Sequence, residues 1–257
     1  SLNAVYSRMK KGIYITNTES RTGRSLVTLG LVNWLLSRTS KVGYFRPIIN
    51  DIKKGGKDND IETMLSYFNL DMEYKEAYGF TISQVIKYKN LGQETRLIDK
   101  IIEKYKEIEK RFDIVVVEGS DFVGKGVAIE FDLNVEIAKN LSLPTYLVSS
   151  AQNKDVHDAV SNLDLSIKSY AANDVKIQAA FMNRVEESKF NLIKEELANV
   201  ISPATSIGII PEIKKLSSPT MQEVYDEIGG EILLGADYMN NPVDKFDVGA
   251  MQLRNYL

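Results

Sequence analysis

The chain has 257 residues, 44% of them hydrophobic, and a formal net charge of −3, which is enough apolar material for one large α/β core or a core with a small appendage. The negative balance, with no basic stretch interleaved with aromatics, excludes nucleic acid as the main partner. The chain has no cysteine, so disulfides, thiolate metal sites and cysteine nucleophiles are excluded as well, and no apolar run reaches the roughly 18 residues that would span a membrane.

The opening SLNAVYSRMKKG has neither an apolar signal core nor an initiator methionine. It reads as a short vector-derived segment on a cytoplasmic protein. The stretch GIYITNTESRTGRSLVTLGL, residues 12–31, then predicts a strand over Ile13 to Thr16, a polar loop, and an amphipathic helix over 24–38. Its loop-to-helix junction is Gly-Arg-Ser where a phosphate-binding loop carries Gly-Lys-Ser/Thr. That pattern needs backbone N–H groups around phosphate oxygens, a lysine for the outer phosphates and a hydroxyl for Mg²⁺. Gly23 and Ser25 meet it, whereas Thr18 stands at the first glycine and Arg24 at the lysine. Gly23 and the helix start behind it still offer N–H groups and a positive dipole end to an anion. Arg24 keeps the charge but is a planar fork, suited to holding a phosphate and not to a lysine's part in phosphoryl transfer. Thr18, Thr22, Gly23, Arg24 and Ser25 are therefore the candidate anion site of a degenerate loop. A working NTPase and an ordinary β-loop-α turn are the alternatives.

Further along, strands are expected at Val42 to Arg46, Asp113 to Glu118, Thr145 to Ser149, Ile177 to Met182 and Ser206 to Ile210. Helical patterns lie near 60–68, 81–89, 91–111, 131–141, 153–172 and 187–200. Short apolar strands alternating with helices predict a mostly parallel, doubly wound sheet with helices on both faces. Leu97, Ile101, Tyr105, Ile108 and Phe112 recur at spacings of four and three, a core-facing stripe. KGGK, Lys54 to Lys57, superficially resembles a phosphate loop but reads as a surface turn. The lone histidine, His157, sits on a predicted helix among acidic residues with no nucleophile elbow in the chain, so a solvated role is expected. The strand DIVVVE ends in Glu118-Gly119, which delivers a carboxylate to the C-terminal edge of the sheet, where open α/β folds bind ligands. Glu118 could join Ser25 at a Mg²⁺, if one binds. A strand-end turn is the plain alternative.

Taken together, YITNTESRTGRS, YFRPI, VVVEG, FDLNVEIAKNL, LPTYLV, FMNRV and IGIIPE resemble the dethiobiotin synthetase-like P-loop domain, and more narrowly the N-terminal domain of long-form bacterial phosphate acetyltransferase. The resemblance implies a P-loop domain over residues 1–215. SSPTMQEVYDEIGGEILLG is similar to the connection into the next, DRTGG, domain of that family, so residues 216–257 would be its opening, including a strand at Asp247 to Met251. In dethiobiotin synthetase one lysine binds ATP phosphates and a strand-end lysine contacts the substrate carbamate. Arg24 and Arg46 stand in those places, which counts against dethiobiotin synthesis and points to the acetyltransferase relatives. The asparagine of an N-R pair recognises adenine in related P-loop domains, which carries over to Asn183.

The resemblance thus implies a regulatory and assembly module of phosphate acetyltransferase with no acetyl-transfer residue of its own. Its expected partners are a small-molecule effector, nucleotide or metabolite, the parent's catalytic domain, and further copies of itself. The one cofactor left open is a nucleotide with Mg²⁺. The competing readings are an ATP-dependent dethiobiotin synthetase-like ligase and a MinD-like or ParA-like assembly switch.

Overall fold

The computed structural model describes residues 12–120, 127–212 and 233–234. In chain order these form β1 (Gly12–Asn17), α1 (Arg24–Leu36), β2 (Val42–Ile49), α2 (Asn59–Tyr67), β3 (Tyr78–Thr81), α3 (Ile82–Asn90), α4 (Glu94–Glu109), β4 (Ile114–Glu118), α5 (Val127–Leu141), β5 (Thr145–Ser150), α6 (Val156–Ala172), β6 (Ile177–Val185), α7 (Phe190–Val200), β7 (Ser206–Pro211) and β8 (Leu233–Leu234). They fall into two compact units: described residues 12–15 and 35–144 in the first, and 16–34 with those from 145 onward in the second.

In the first unit all pairings are parallel. β1 lies beside β4, with Gly12 opposite Val115 and Ile15 opposite Glu118. β4 lies beside β2, and β2 beside β3, with Arg46 opposite Tyr78. The second unit pairs β5 with β6 and β6 with β7, again parallel, and β8 runs antiparallel to β7. With helices on both sides of the strands, this is the mostly parallel, doubly wound α/β class expected from the alternation. β1, β2, β4 and β5 are buried along their whole length, which is why they read as continuous apolar runs. Among the described residues no helix is long and apolar enough to cross a membrane.

The predicted stripe of α4 is real: Leu97, Ile101, Tyr105 and Ile108 are buried, as is Phe112 just beyond the helix. Each such side chain contributes about 1.5–3 kcal/mol of apolar burial. Other elements shift. The 91–111 helix begins only at Glu94, because Leu91 and Gly92 close α3, Gly92 in the left-handed region at φ 63°. The 131–141 helix begins earlier, at Val127. α3 starts after Thr81, whose hydroxyl accepts from the Gln84 backbone while the Gln84 side chain accepts from the Thr81 N–H, a capping box. β3 was not expected. It is four half-buried residues with Gly79 inside, and a Cβ there would come within 2.4 Å of the Pro47 carbonyl oxygen; the strand exists because the two backbones approach closely. KGGK forms an exposed turn and His157 an exposed position in the first turn of α6. Residues 216–257, with the strand expected at Asp247 to Met251, lie outside the described residues apart from Leu233–Leu234.

Tyr146 on β5 is buried, and burial pushes its phenol up to about 12. A group whose folded pKa is raised keeps its full contribution below the unfolded value, about 10. As pH rises beyond that the unfolded chain ionises first, and stability falls until the folded value is passed. Tyr146→Phe should therefore flatten the alkaline loss of stability between about pH 10 and 12, read by urea denaturation at stepped pH. An unchanged alkaline slope would show that this phenol does not contribute it.

Candidate functional site

The loop between β1 and α1 lies in the second unit and is held from outside by side chains of β6 and the segment after β5. Asn183 donates its amide to the Thr22 carbonyl at 2.7 Å, and its own oxygen accepts from the Arg184 N–H at 2.9 Å. Arg184 donates to the Arg21 carbonyl and to Gln152, both at 2.8 Å. Lys154 pairs with Glu19 and donates to the Ser150 carbonyl. Inside the loop, the Thr22 hydroxyl donates to Asn17 at 2.7 Å, and the Thr18 N–H to the Val148 carbonyl at 2.9 Å. Positive φ falls on Arg21 at 59° and Gly23 at 77°, and not on Thr18. Gly23 is required twice over. Its φ suits glycine, and a Cβ would sit 2.3 Å from the Asn183 amide nitrogen.

Of the sequence-singled residues, Thr22, Gly23, Arg24, Ser25 and Asn183 thus come together in this unit. Thr18 stands at the loop's entry. Arg24 opens α1 and is 5% exposed, so its guanidinium is enclosed by protein, whereas Ser25 is half-buried. Asn183, expected to read adenine, is 3% exposed and spends both polar atoms on loop and strand backbone. Gln152, Lys154 and Arg184 were missed. For Arg184 the signal was available, since it is the second half of the N-R pair.

Arg46 and Glu118 belong to the first unit and form a different cluster. Arg46 lies inside β2, which runs on to Ile49 and does not stop at Arg46 as expected. Its Nη1 lies 3.0 Å and 3.2 Å from the two Asp58 oxygens and 3.2 Å from Asp60, and its Nε lies 3.9 Å from Glu118. Burial works against the guanidinium charge, but Tyr44, Glu118, Asp58 and Asp60 more than offset that and hold its pKa above the ordinary value. Asp58 is itself fixed: it caps α2 by accepting from the Ile61 N–H at 3.0 Å, and its own N–H donates to the Tyr74 hydroxyl at 2.6 Å. Glu118 is 0% exposed. Gly119 follows it because a Cβ would strike Asn134 Oδ1 at 2.6 Å and the Tyr14 hydroxyl at 2.9 Å, two atoms already hydrogen-bonded to each other. Asp58 and Asp60 were missed as partners, although an aspartate just before the helical pattern at 60–68 is a capping signal.

A nucleotide site of the P-loop type implies Mg²⁺, with Ser25 and Glu118 as the expected ligands. The carboxylates around Glu118 do not fit that ion, because the Arg46 guanidinium lies against them. Among the described residues no group of three or more His, Cys, Asp or Glu side chains is arranged to hold a metal.

A family profile described as AAA domain, AAA_26, matches residues 11–220. The chain belongs to the AAA_26 family. This AAA_26 domain is 35% identical to a phosphate acetyltransferase of Nitratidesulfovibrio vulgaris, over 97% of the chain and 36% of that protein. It is 31% identical to one of Synechocystis, over 97% and 36%. The chain thus spans about a third of the length of these curated relatives. Similarity to a dethiobiotin synthetase of Clostridium perfringens is weaker, at 23% identity over 86% of the chain and 100% of that protein. Among solved structures, the MinC:MinD cell division protein complex of Aquifex aeolicus matches with a TM-score of 0.56 at 16% identity, over 96% of the AAA_26 domain and 95% of that chain. That likeness supports the P-loop NTPase fold.

Proposed function

We propose that this chain is a regulatory and assembly module of a phosphate acetyltransferase, the enzyme that interconverts acetyl-CoA plus phosphate with acetyl phosphate plus CoA. The observation that carries the reading is the similarity to phosphate acetyltransferases across 97% of the chain. Arg24 at the lysine's place supports a loop that binds an anion without transferring phosphate. In this reading a nucleotide or other phosphate-bearing effector sits at the N-terminus of α1, on the N–H groups around Gly23. It regulates a distant acetyl-transfer site only by binding two conformations or assemblies unequally. The module is expected in the cytoplasm, as part of a homo-oligomer, joined to the parent's catalytic domain.

The chain by itself should form no acetyl phosphate from acetyl-CoA and phosphate, and should release no phosphate steadily from ATP or GTP. In a full-length parent, Arg24→Ala should change the effector response or the oligomeric state and leave basal turnover in place. Acetyl phosphate formation by the chain alone refutes the non-catalytic reading, and an unchanged effector response and assembly state refutes the regulatory one. The second reading, an ATP-dependent ligase on the dethiobiotin synthetase plan, is favoured by the similarity over 100% of the Clostridium perfringens protein. Mg²⁺-dependent phosphate release abolished by Ser25→Ala would establish it instead.

A further inference from the structure

We propose, on the reading of the β1–α1 loop as an anion site, that Lys154 is the solvent-facing cation of that site. Glu19, a residue of the loop itself, covers this lysine as a built-in competitor, which an incoming phosphate group displaces. Arg24 stands at the loop lysine's place, but it is 5% exposed, so a charge that meets an anion arriving from solvent has to come from elsewhere in the unit. Lys154 fits that part. Its Nζ donates to the Ser150 carbonyl at 3.0 Å and pairs with the Glu19 carboxylate. Ser150 is the last residue of β5, and the loop enters beside that strand, because the Thr18 N–H donates to the Val148 carbonyl at 2.9 Å. The lysine therefore stands where the loop passes the C-terminal end of β5, the edge at which open α/β sheets take their ligands.

The neighbouring cations are engaged differently. Arg184 donates Nη1 to the Arg21 carbonyl and to Gln152, while Lys189 donates to the Lys154 carbonyl and pairs with Glu186. Lys154 instead holds a carboxylate that the loop carries, so an anion is already seated on its ammonium. The Glu19 side chain is 46% exposed and that of Lys154 20%. Ion pairs open to water are weak, because solvent screens them and both side chains lose freedom in forming them. A phosphate group carries more charge than a carboxylate and several acceptor oxygens, and it takes the ammonium from Glu19, whose released carboxylate goes to water. The exchange asks for little movement elsewhere. Asn183 and Arg184 keep the Thr22 and Arg21 carbonyls, and the Lys154 N–H stays on the Ala151 carbonyl at 3.3 Å. Lys154 thus sets the affinity by binding, and Glu19 by competing.

The test is isothermal titration of the chain with pyrophosphate and, in parallel, with ADP, whose wild-type affinities tell free phosphate groups from a nucleotide as the source of the anion. Glu19→Gln should bind both probes about tenfold more tightly and Lys154→Met about tenfold more weakly, the equivalent of one charge-assisted contact. In Glu19→Gln with Lys154→Met the gain should vanish, because the competitor has nothing left to cover. Lys168→Gln removes the same charge from α6, where Lys168 pairs with Asp164, and should leave binding unchanged. Equal affinities in wild type and Glu19→Gln, or undiminished binding in Lys154→Met, overturn the assignment while the loop stays an anion site. An equal loss in Lys168→Gln overturns it too, since the effect is then one of net charge. Binding of neither probe by wild type or by Glu19→Gln refutes the reading of the loop, and this assignment with it. If Lys154→Met does not fold, the wild-type chain decides: pyrophosphate should shift the Lys154 ammonium nitrogen resonance, and an unmoved resonance overturns the assignment.

Discussion

Arg46→Ala should lower the unfolding free energy by about 3–5 kcal/mol, the range measured when one partner of a buried ion pair is removed. The loss does not measure the attraction alone. Glu118 is 0% exposed, so removing the guanidinium takes a nearby positive charge from a carboxylate that water does not reach. The prediction separates the two contributions. Arg46→Met with Glu118→Leu should recover a large part of the loss, because buried pairs replaced by apolar side chains are often close to neutral. Asp60, 33% exposed, can then be hydrated, and Asp58 keeps the Ile61 N–H that it caps. Urea denaturation of the wild type, both single variants and the double variant gives the coupling between the sites. Additive losses would show that Arg46 and Glu118 do not interact across 3.9 Å.

Gly23→Ala should cost about 2–3 kcal/mol, the sum of a left-handed backbone imposed on alanine and a hydrogen bond displaced from the loop. The new methyl would stand 2.3 Å from the Asn183 amide nitrogen. To escape, that amide has to give up the Thr22 carbonyl it holds at 2.7 Å, and the loop loses one of its outer supports. Gly55→Ala is the control: its φ is 81°, in the same region, but nothing lies within 4 Å of the added Cβ. It should show the backbone cost alone, about 1–2 kcal/mol. Denaturation midpoints of the two variants decide the matter. Equal losses would mean that the approach of Asn183 to the loop contributes nothing to stability.

The loop's conformation also explains why its identity was only half legible. The residues Gly23, Arg24 and Ser25, placed directly after an apolar strand and before a helical pattern, mark a β-loop-α junction at the level of local chemistry, since glycine freedom and helix capping are properties of neighbours in sequence. What braces that junction is not local. Asn183, Arg184, Gln152 and Lys154 reach it only because β6 and the segment after β5 run alongside. No spacing rule brings those residues to Thr22, Arg21 and Glu19.

The same division runs through the rest of the molecule. The amino-acid sequence by itself determined the strand–helix alternation, the parallel class and the buried face of α4, because periodicity records which side of an element avoids water. It also carried the family. Only the tertiary structure decided that the four half-buried residues of β3 form a strand, because Gly79 can lie against Pro47 only once both chains are in place. Only the tertiary structure decided, too, that Arg46 faces three carboxylates. An arginine on a strand is equally suited to a phosphate or to an acid, and which of them it meets depends on burial and on side chains brought from α2 and the end of β4, where low solvent screening turns a common surface pairing into a fixed one.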